Sequence, residues 1–267
     1  MVDKFRKLLG LSVTRPVFII GTGRSGTHWL ANTFVDHSDI DLTVEQQPMF
    51  GLSQQIALNP SLQARLLPEL ITTYEQLVSK SSRDLYMDKS HTNIWIAEDL
   101  KIAFPQALFI GIVRGPYATV SSMMRHKGVL QWHERWREFP VPNQFLGITT
   151  ENVDTYDRMS LASKCAMRWS AHKGKMNNLK AALGPDLLII SYESFQDKTR
   201  ETTEYLKTFL GLRRAPPIPH VKRGSMQSWK ELLSDQDLQD IRKLVHFSPE
   251  GLCDHCSASV LNCECDK

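Results

Sequence analysis

The feature that most constrains this chain is an alternation. Five short apolar runs, at 16–20, 42–44, 84–87, 108–113 and 187–191, are β-branched or aliphatic and bounded by polar or turn residues, the pattern of strands buried on both faces. Helical patterns lie between them. In NIWIAEDLKIAF, Ile96, Leu100, Ala103 and Phe104 recur at a helical interval, and GPYATVSSMM places Pro116 in a first turn, where its missing N–H costs least. Strand–helix alternation is satisfied by a mainly parallel sheet with helices on both faces, a three-layer α/β fold. Such sheets bind ligands at the carboxyl ends of their strands, and there the most unusual residues of this chain fall.

A chain of 267 residues, 42% hydrophobic and 23% charged, suits one large domain. Residues 1–15 read as an N-terminal extension, 16–250 as the domain and 251–267 as a cysteine-rich tail. A net charge of +3 is too weak a bias to imply a nucleic-acid partner. No apolar stretch approaches the roughly 18 residues that span a bilayer, and the start MVDKFRKLLGLSV lacks a signal-peptide core and cleavage site. The expectation is a cytoplasmic protein with no membrane partner.

The stretch 127–160 carries Trp132, Trp136, Pro140, Pro142 and Gly147 without sustained periodicity and reads as an irregular insertion or lid. A helix is expected from 161 to 183, with Trp169 in the core. Residues 212–224 form a proline-rich loop, and Ser234 caps a last helix carrying Leu238, Ile241 and Val245. Cys253, Cys256, Cys263 and Cys265 offer four thiolates, but the CxxC…CxC spacing is unlike common structural zinc sites. A reduced, partly disordered tail is the other reading, and no metal is assigned.

After the first strand comes GTGRSGTHW. Strand, glycine turn and helix in this order form an anion cradle: Gly21 and Gly23 allow close backbone approach, and the next helix aims free N–H groups at the ligand. Nucleoside triphosphatases read GxxxxGK[ST], whereas aligning Gly21 and Gly26 here puts Thr27 at the lysine and His28 at the magnesium ligand. That argues against magnesium-ATP. The cation has moved to Arg24.

At GRSGTHW the chain resembles the 5′-phosphosulfate loop, commonly [PG][KR]SGTTW, of sulfotransferases that use 3′-phosphoadenosine-5′-phosphosulfate (PAPS). The resemblance implies that Gly23, Arg24, Ser25, Gly26 and Thr27 surround the 5′-phosphate. His28 replaces a threonine, removing one hydroxyl contact but leaving an imidazole donor. Trp29 either stacks on the adenine or packs in the core. Downstream, LFIGIVRGPYATVSS resembles the family's 3′-phosphate motif, with Arg114 and Ser122 as the phosphate contacts; the alternative for Arg114 is a helix cap or a surface ion pair. LLIISYESF resembles the strand ending in YE and implies Tyr192 as an adenine contact, a core tyrosine being the alternative. VKRGSMQSWKE resembles the late RKGxxGxWK motif, from which Lys222, Arg223 and Gly224 would close over the 3′-phosphate. The resemblance spans about residues 16–230.

It also implies a chemistry without a metal: PAPS donates its sulfuryl group in line to a hydroxyl or amine of a small-molecule acceptor and leaves as PAP. Arg24 and Lys89, in YMDKSHTN, are the cations for the growing charge. Two bases compete. Glu45, in LTVEQQPMF, resembles the glutamate of the tyrosylprotein and bacterial branch, while His91 resembles the histidine of KTH in the cytosolic small-molecule branch and has the right ordinary pKa, about 6.5. QWHERWREF offers Trp132, His133, Glu134 and Trp136 for the acceptor pocket. The oligomeric state is not readable, since the KxxxTVxxxE dimerisation stretch is missing. The competing readings are a small-molecule or nucleoside kinase with a degenerate loop and a non-catalytic nucleotide-binding module.

Overall fold

The computed structural model describes residues 14–219 and 227–245. Lys222, Arg223, Gly224 and the four tail cysteines lie outside the described residues. The described elements are, in order, β1 (Arg15–Gly21), α1 (Thr27–Asn32), β2 (Ile40–Val44), α2 (Met49–Leu58), α3 (Gln63–Lys80), β3 (Leu85–Lys89), α4 (Ala97–Ala103), β4 (Leu108–Val113), α5 (Pro116–Met123), α6 (Lys127–Glu134), α7 (Leu161–Leu183), β5 (Leu187–Ser191), α8 (Tyr192–Asp197), α9 (Thr199–Leu210), α10 (Trp229–Leu232) and α11 (Asp235–Arg242). Short 3₁₀ segments link some of them.

Alternate residues of β1 explain the layers. Val17 and Ile19 join one core with Leu30, Phe34, Phe195 and Leu206, whereas Phe18 and Ile20 join another with Leu52, Leu70, Tyr74 and Leu179. Each face of the sheet is therefore covered by helices, which is the condition under which parallel strands are stable. The sheet has the order β2-β3-β1-β4-β5, all parallel. Its first two crossovers run to one side of β1 and the later ones to the other, so the strand order reverses between β1 and β4. Ligand crevices of open α/β sheets form at such a reversal.

Local rules set the ends. Ser160 accepts a hydrogen bond from the N–H of Ser163 at the start of α7, and Ser234 with Asp237 makes a reciprocal capping box at α11. The run around 84–87 extends two residues further, so Asp88 and Lys89 belong to β3. Asp88 is fully buried but satisfied: Tyr74 Oη and Thr43 Oγ1 each donate to it at 2.9 Å and Asn93 Nδ2 at 3.1 Å. Burial still pushes its carboxyl up to about 6.

The segment 127–160 begins with a helix, α6, too short at eight residues to show a sustained period, and is irregular beyond it, made of turns, bends and short 3₁₀ segments. It then builds a core of its own, in which Trp136, Phe145, Leu146, Ile148 and Tyr156 pack on Ala57, Leu58 and Met167. Gly147 is required there: with φ +75, a Cβ on it would lie 2.6 Å from the carbonyl of Met167.

Candidate active site

The carboxyl ends of all five strands converge. Gly21 ends β1 and Lys89 ends β3, while Glu45, Arg114 and Tyr192 directly follow β2, β4 and β5. Between them the loop 22–26 turns back. Arg24 and Gly26 take positive φ, 78° and 99°, a region that disfavours side chains and here points the loop's backbone and the Arg24 head at one spot. Gly26 admits no replacement, since a Cβ would sit 2.4 Å from Cδ2 of Tyr192. The Ser25 hydroxyl is fully buried and lies 2.6 Å from the carbonyl oxygen of Thr22 and 3.1 Å from that of Ile112. It fastens the loop to β4.

One cavity, of about 170 Å³, opens beside this loop and is lined by Arg24, Gly26, Thr27, His28, Trp29, Arg114, Ser122 and Tyr192. Arg24 Nε donates to Ser122 Oγ at 3.1 Å, so the loop and α5 meet across it. Arg114 lies over the ring of Tyr192, 4.5 Å from its centroid, and burial lowers its pKa. Two supports hold this arginine in place: Trp169 Nε1 donates to its carbonyl at 3.0 Å, and Glu193 accepts from the N–H of Gly115 at 3.0 Å. Trp29 packs on Phe195 and Tyr192 with ring centroids 4.5 and 5.3 Å away while also lining the cavity. Core packing and a ligand platform are both open to it.

A second cavity, of about 270 Å³, shares Arg24, Thr27 and His28 with the first. Glu45, Lys89 and His91 stand at the join. The Glu45 Oε1 atom accepts a short hydrogen bond from Lys89 Nζ and one of 2.8 Å from His91 Nδ1, and Lys89 also reaches His28 Nδ1 at 2.8 Å. Burial alone would raise the Glu45 carboxyl, but His91 and Lys89 hold it down to about 2. Burial, with the Lys89 charge, lowers His91 to about 4 despite the carboxylate beside it, and lowers Lys89 itself. His28 is lowered by burial and by Lys89. With Nδ1–H bound to Glu45, His91 keeps its lone pair on Nε2, which has no partner among the described residues.

Residues 16–216 match a family model described as Sulfotransferase family. The chain belongs to the sulfotransferase family. Solved structures of the same fold include the sulfotransferase domain from the curacin biosynthetic pathway, 15% identical with a TM-score of 0.55 over 87% of this chain and 98% of that one. A sulfotransferase from Alicyclobacillus acidocaldarius is 17% identical with a TM-score of 0.51, covering 88% of this chain and 97% of that one. Mouse sulfotransferase SULT7A1 complexed with PAP is 17% identical with a TM-score of 0.50, covering 86% and 83%. Among curated proteins, none matches this sequence. At these identities the structural likeness is one of fold, and the family match supports a sulfotransferase activity in general.

Within this sulfotransferase, most of the described residues expected to hold a donor meet in space, but Ser25 lines neither cavity, because its hydroxyl is bonded to the carbonyls of Thr22 and Ile112. Arg24, Gly26, Thr27, His28, Trp29, Arg114, Ser122 and Tyr192 share one wall, and Glu45, Lys89, His91 and Gly23 share the adjoining one. The expected acceptor residues are corrected in part. Trp132 lines the larger cavity, but His133 is buried with its Nδ1 2.6 Å from Tyr156 Oη, Trp136 donates to Asp157 from within the insertion's core, and Glu134 is exposed outside the cavity. Helix geometry is the reason. In an eight-residue helix only one face meets the cavity, here Gly128, Val129, Gln131 and Trp132. Phe50, Gln54 and His126 also line it. They carry no motif, and nothing short of the fold brings them to β3.

Proposed function

We propose that the protein transfers a sulfuryl group from PAPS to a hydroxyl or amine of a small-molecule acceptor. The observation that carries this is the pair of adjoining cavities that share Arg24, Thr27 and His28, one cationic and aromatic, the other holding the ionisable cluster. The donor set of the first fits a doubly phosphorylated adenosine. The loop residues Arg24, Gly26 and Thr27 would hold the 5′-phosphate, Arg114 and Ser122 the 3′-phosphate, and Trp29 with Tyr192 the base. When bound, the donor supplies a sulfuryl group on a phosphate leaving group.

The chain's own residues then divide the work. Glu45 favours one tautomer of His91, so Nε2 is the atom that takes the acceptor's proton; this arrangement supports His91 as base and Glu45 as its orienter. A carboxylate held near about 2 is a poor base in its own right, yet it stabilises the imidazolium that forms. Lys89 and Arg24 place positive charge where the leaving oxygen gains its negative charge. Lys89 sits 1% exposed, in a setting where charge is weakly screened.

The experiment is calorimetry with PAP and with magnesium-ATP, followed by an acceptor screen with PAPS that reads both PAP and the sulfated compound by mass. Binding of PAP and transfer to one acceptor are expected. Heat with magnesium-ATP alone would move the reading to a kinase, and PAP binding without transfer to any acceptor would move it to a binding module. A cytoplasmic setting remains part of the proposal; among the described residues no helix is long and apolar enough to cross a membrane.

A further inference from the structure

Arg168, on α7, is the largest fully buried side chain among the described residues. Its guanidinium lies against the ring of Phe145, 4.5 Å from the centroid, and near that of Trp132, at 5.4 Å. Nη1 lies 3.8 Å from the sulfur of Met123, a weak acceptor, while Nε and Nη2 have no partner among the described residues. No described carboxylate pairs with it. The groups that feel its charge are His91, His126, His133, His172, Cys165 and Tyr156, none of them an anion at neutral pH. Burial lowers its own pKa to about 10, which leaves it charged.

A buried cation without an anion is expensive, and aromatic faces and one thioether offset only part of that cost. The unpartnered Nη2 shows where relief lies. It is 3.6 Å from the point a Cβ on Gly23 would occupy, and His91 Nε2, also unpartnered, is 3.2 Å from the same point. Gly23 belongs to the anion loop and lines the larger cavity. Two unpartnered buried nitrogens, from different elements, thus converge on Gly23 of the loop.

We propose that Arg168 is a positioning residue for the sulfuryl donor: a fixed positive charge beside Gly23 of the loop whose counter-ion is the donor's 5′ anion bound by that loop. The insertion has a role in this. Phe145 and Trp132 shield the guanidinium from water, and the Gly147 turn packs that insertion against the backbone of Met167 and Arg168. In a site with little water the charge acts through the loop without touching the ligand. Ligand binding removes an electrostatic penalty that the ligand-free protein carries, so affinity gains what ligand-free stability loses.

This inference rests on the donor reading above, and the test separates the two. Thermal unfolding of the ligand-free protein and calorimetry with PAP are measured for the wild type, Arg168→Met, Arg168→Gln and Arg168→Lys. Arg168→Met is expected to unfold at a higher temperature than wild type while binding PAP about tenfold more weakly; Arg168→Lys retains most of the affinity because it retains the charge. Arg168→Gln supplies the affinity comparison if the methionine variant fails to fold. A folded neutral variant that binds PAP as tightly as wild type overturns the proposal, as does weakened binding that lysine rescues no better than methionine. If the wild type itself does not bind PAP, the donor reading fails. The Arg168 assignment is then decided by inorganic sulfate: protection against unfolding that is lost in Arg168→Met supports it, and equal protection overturns it.

Discussion

The two adjoining cavities are built by different means. The smaller one is built around a backbone turn: the loop 22–26, with its two positive-φ positions, faces Arg114, Ser122 and Tyr192, and Trp169 and Glu193 hold the Arg114 turn in place. The larger one is a side-chain device, in which Glu45, Lys89 and His91 from two strand ends meet Phe50 and Gln54 of α2 and Gln131 and Trp132 of α6. A backbone cradle gives binding, because its donors are in place before the ligand arrives. An ionisable cluster gives chemistry, because its charges depend on one another.

The largest expected effect should separate these roles. His91→Ala is expected to lower kcat by about 10²- to 10⁴-fold while PAP affinity stays near wild type. If that variant kept its rate and Glu45→Gln lost it, the base would be Glu45 and the dyad reading would fall. Arg114→Ala is expected to do the reverse. Losing a charge-assisted contact worth about 1.5–3 kcal/mol weakens PAP binding roughly 10- to 100-fold, with kcat at saturating donor little changed.

Proton uptake sharpens the contrast further. His91 must be neutral to accept a proton, and its value is pushed down from the ordinary 6.5 to about 4. Activity should therefore stay level as pH falls from 7 to 5 and decline only as it approaches about 4. An acid limb centred near 6.5 would mean that an unshifted histidine does the work.

Two substitutions in α6 test its orientation. Trp132→Ala should raise the acceptor KM several-fold, since its ring lines only the larger cavity, and should weaken PAP binding less than Arg168→Met does, since Phe145 still covers the guanidinium. Glu134→Gln, on the exposed side of the same helix, should change neither constant. A measurable loss there would show that the acceptor reaches beyond the cavity.

Legibility followed the same division. Each of the five apolar runs became a strand, because an element buried on both faces leaves a continuous aliphatic signature that survives without knowing its neighbours. GRSGTHW and the Arg114 motif could be read because the residues of each lie within one strand–turn–helix unit. The insertion was harder. Trp136 and His133 look like ligand groups in QWHERWREF, but only the packing of α6 and of the 3₁₀ turn after it decided that His133 meets Tyr156 and Trp136 meets Asp157. Arg168 gave no signal at all: nothing in KCAMRWSAHK marks it, and its burial depends on the rings of Phe145 and Trp132, which lie in the insertion earlier in the sequence.

What the sequence determined by itself is the sheet, the anion loop and the family, since these rest on periodicity and on backbone conformations that few residue types can adopt. The tertiary structure decided which way the imidazole of His91 faces, which side of α6 lines the larger cavity, and that the guanidinium of Arg168 lies beside Gly23 of the loop. Those outcomes depend on distances between groups far apart in the chain, and electrostatic energies change steeply with such distances and with the water excluded between them.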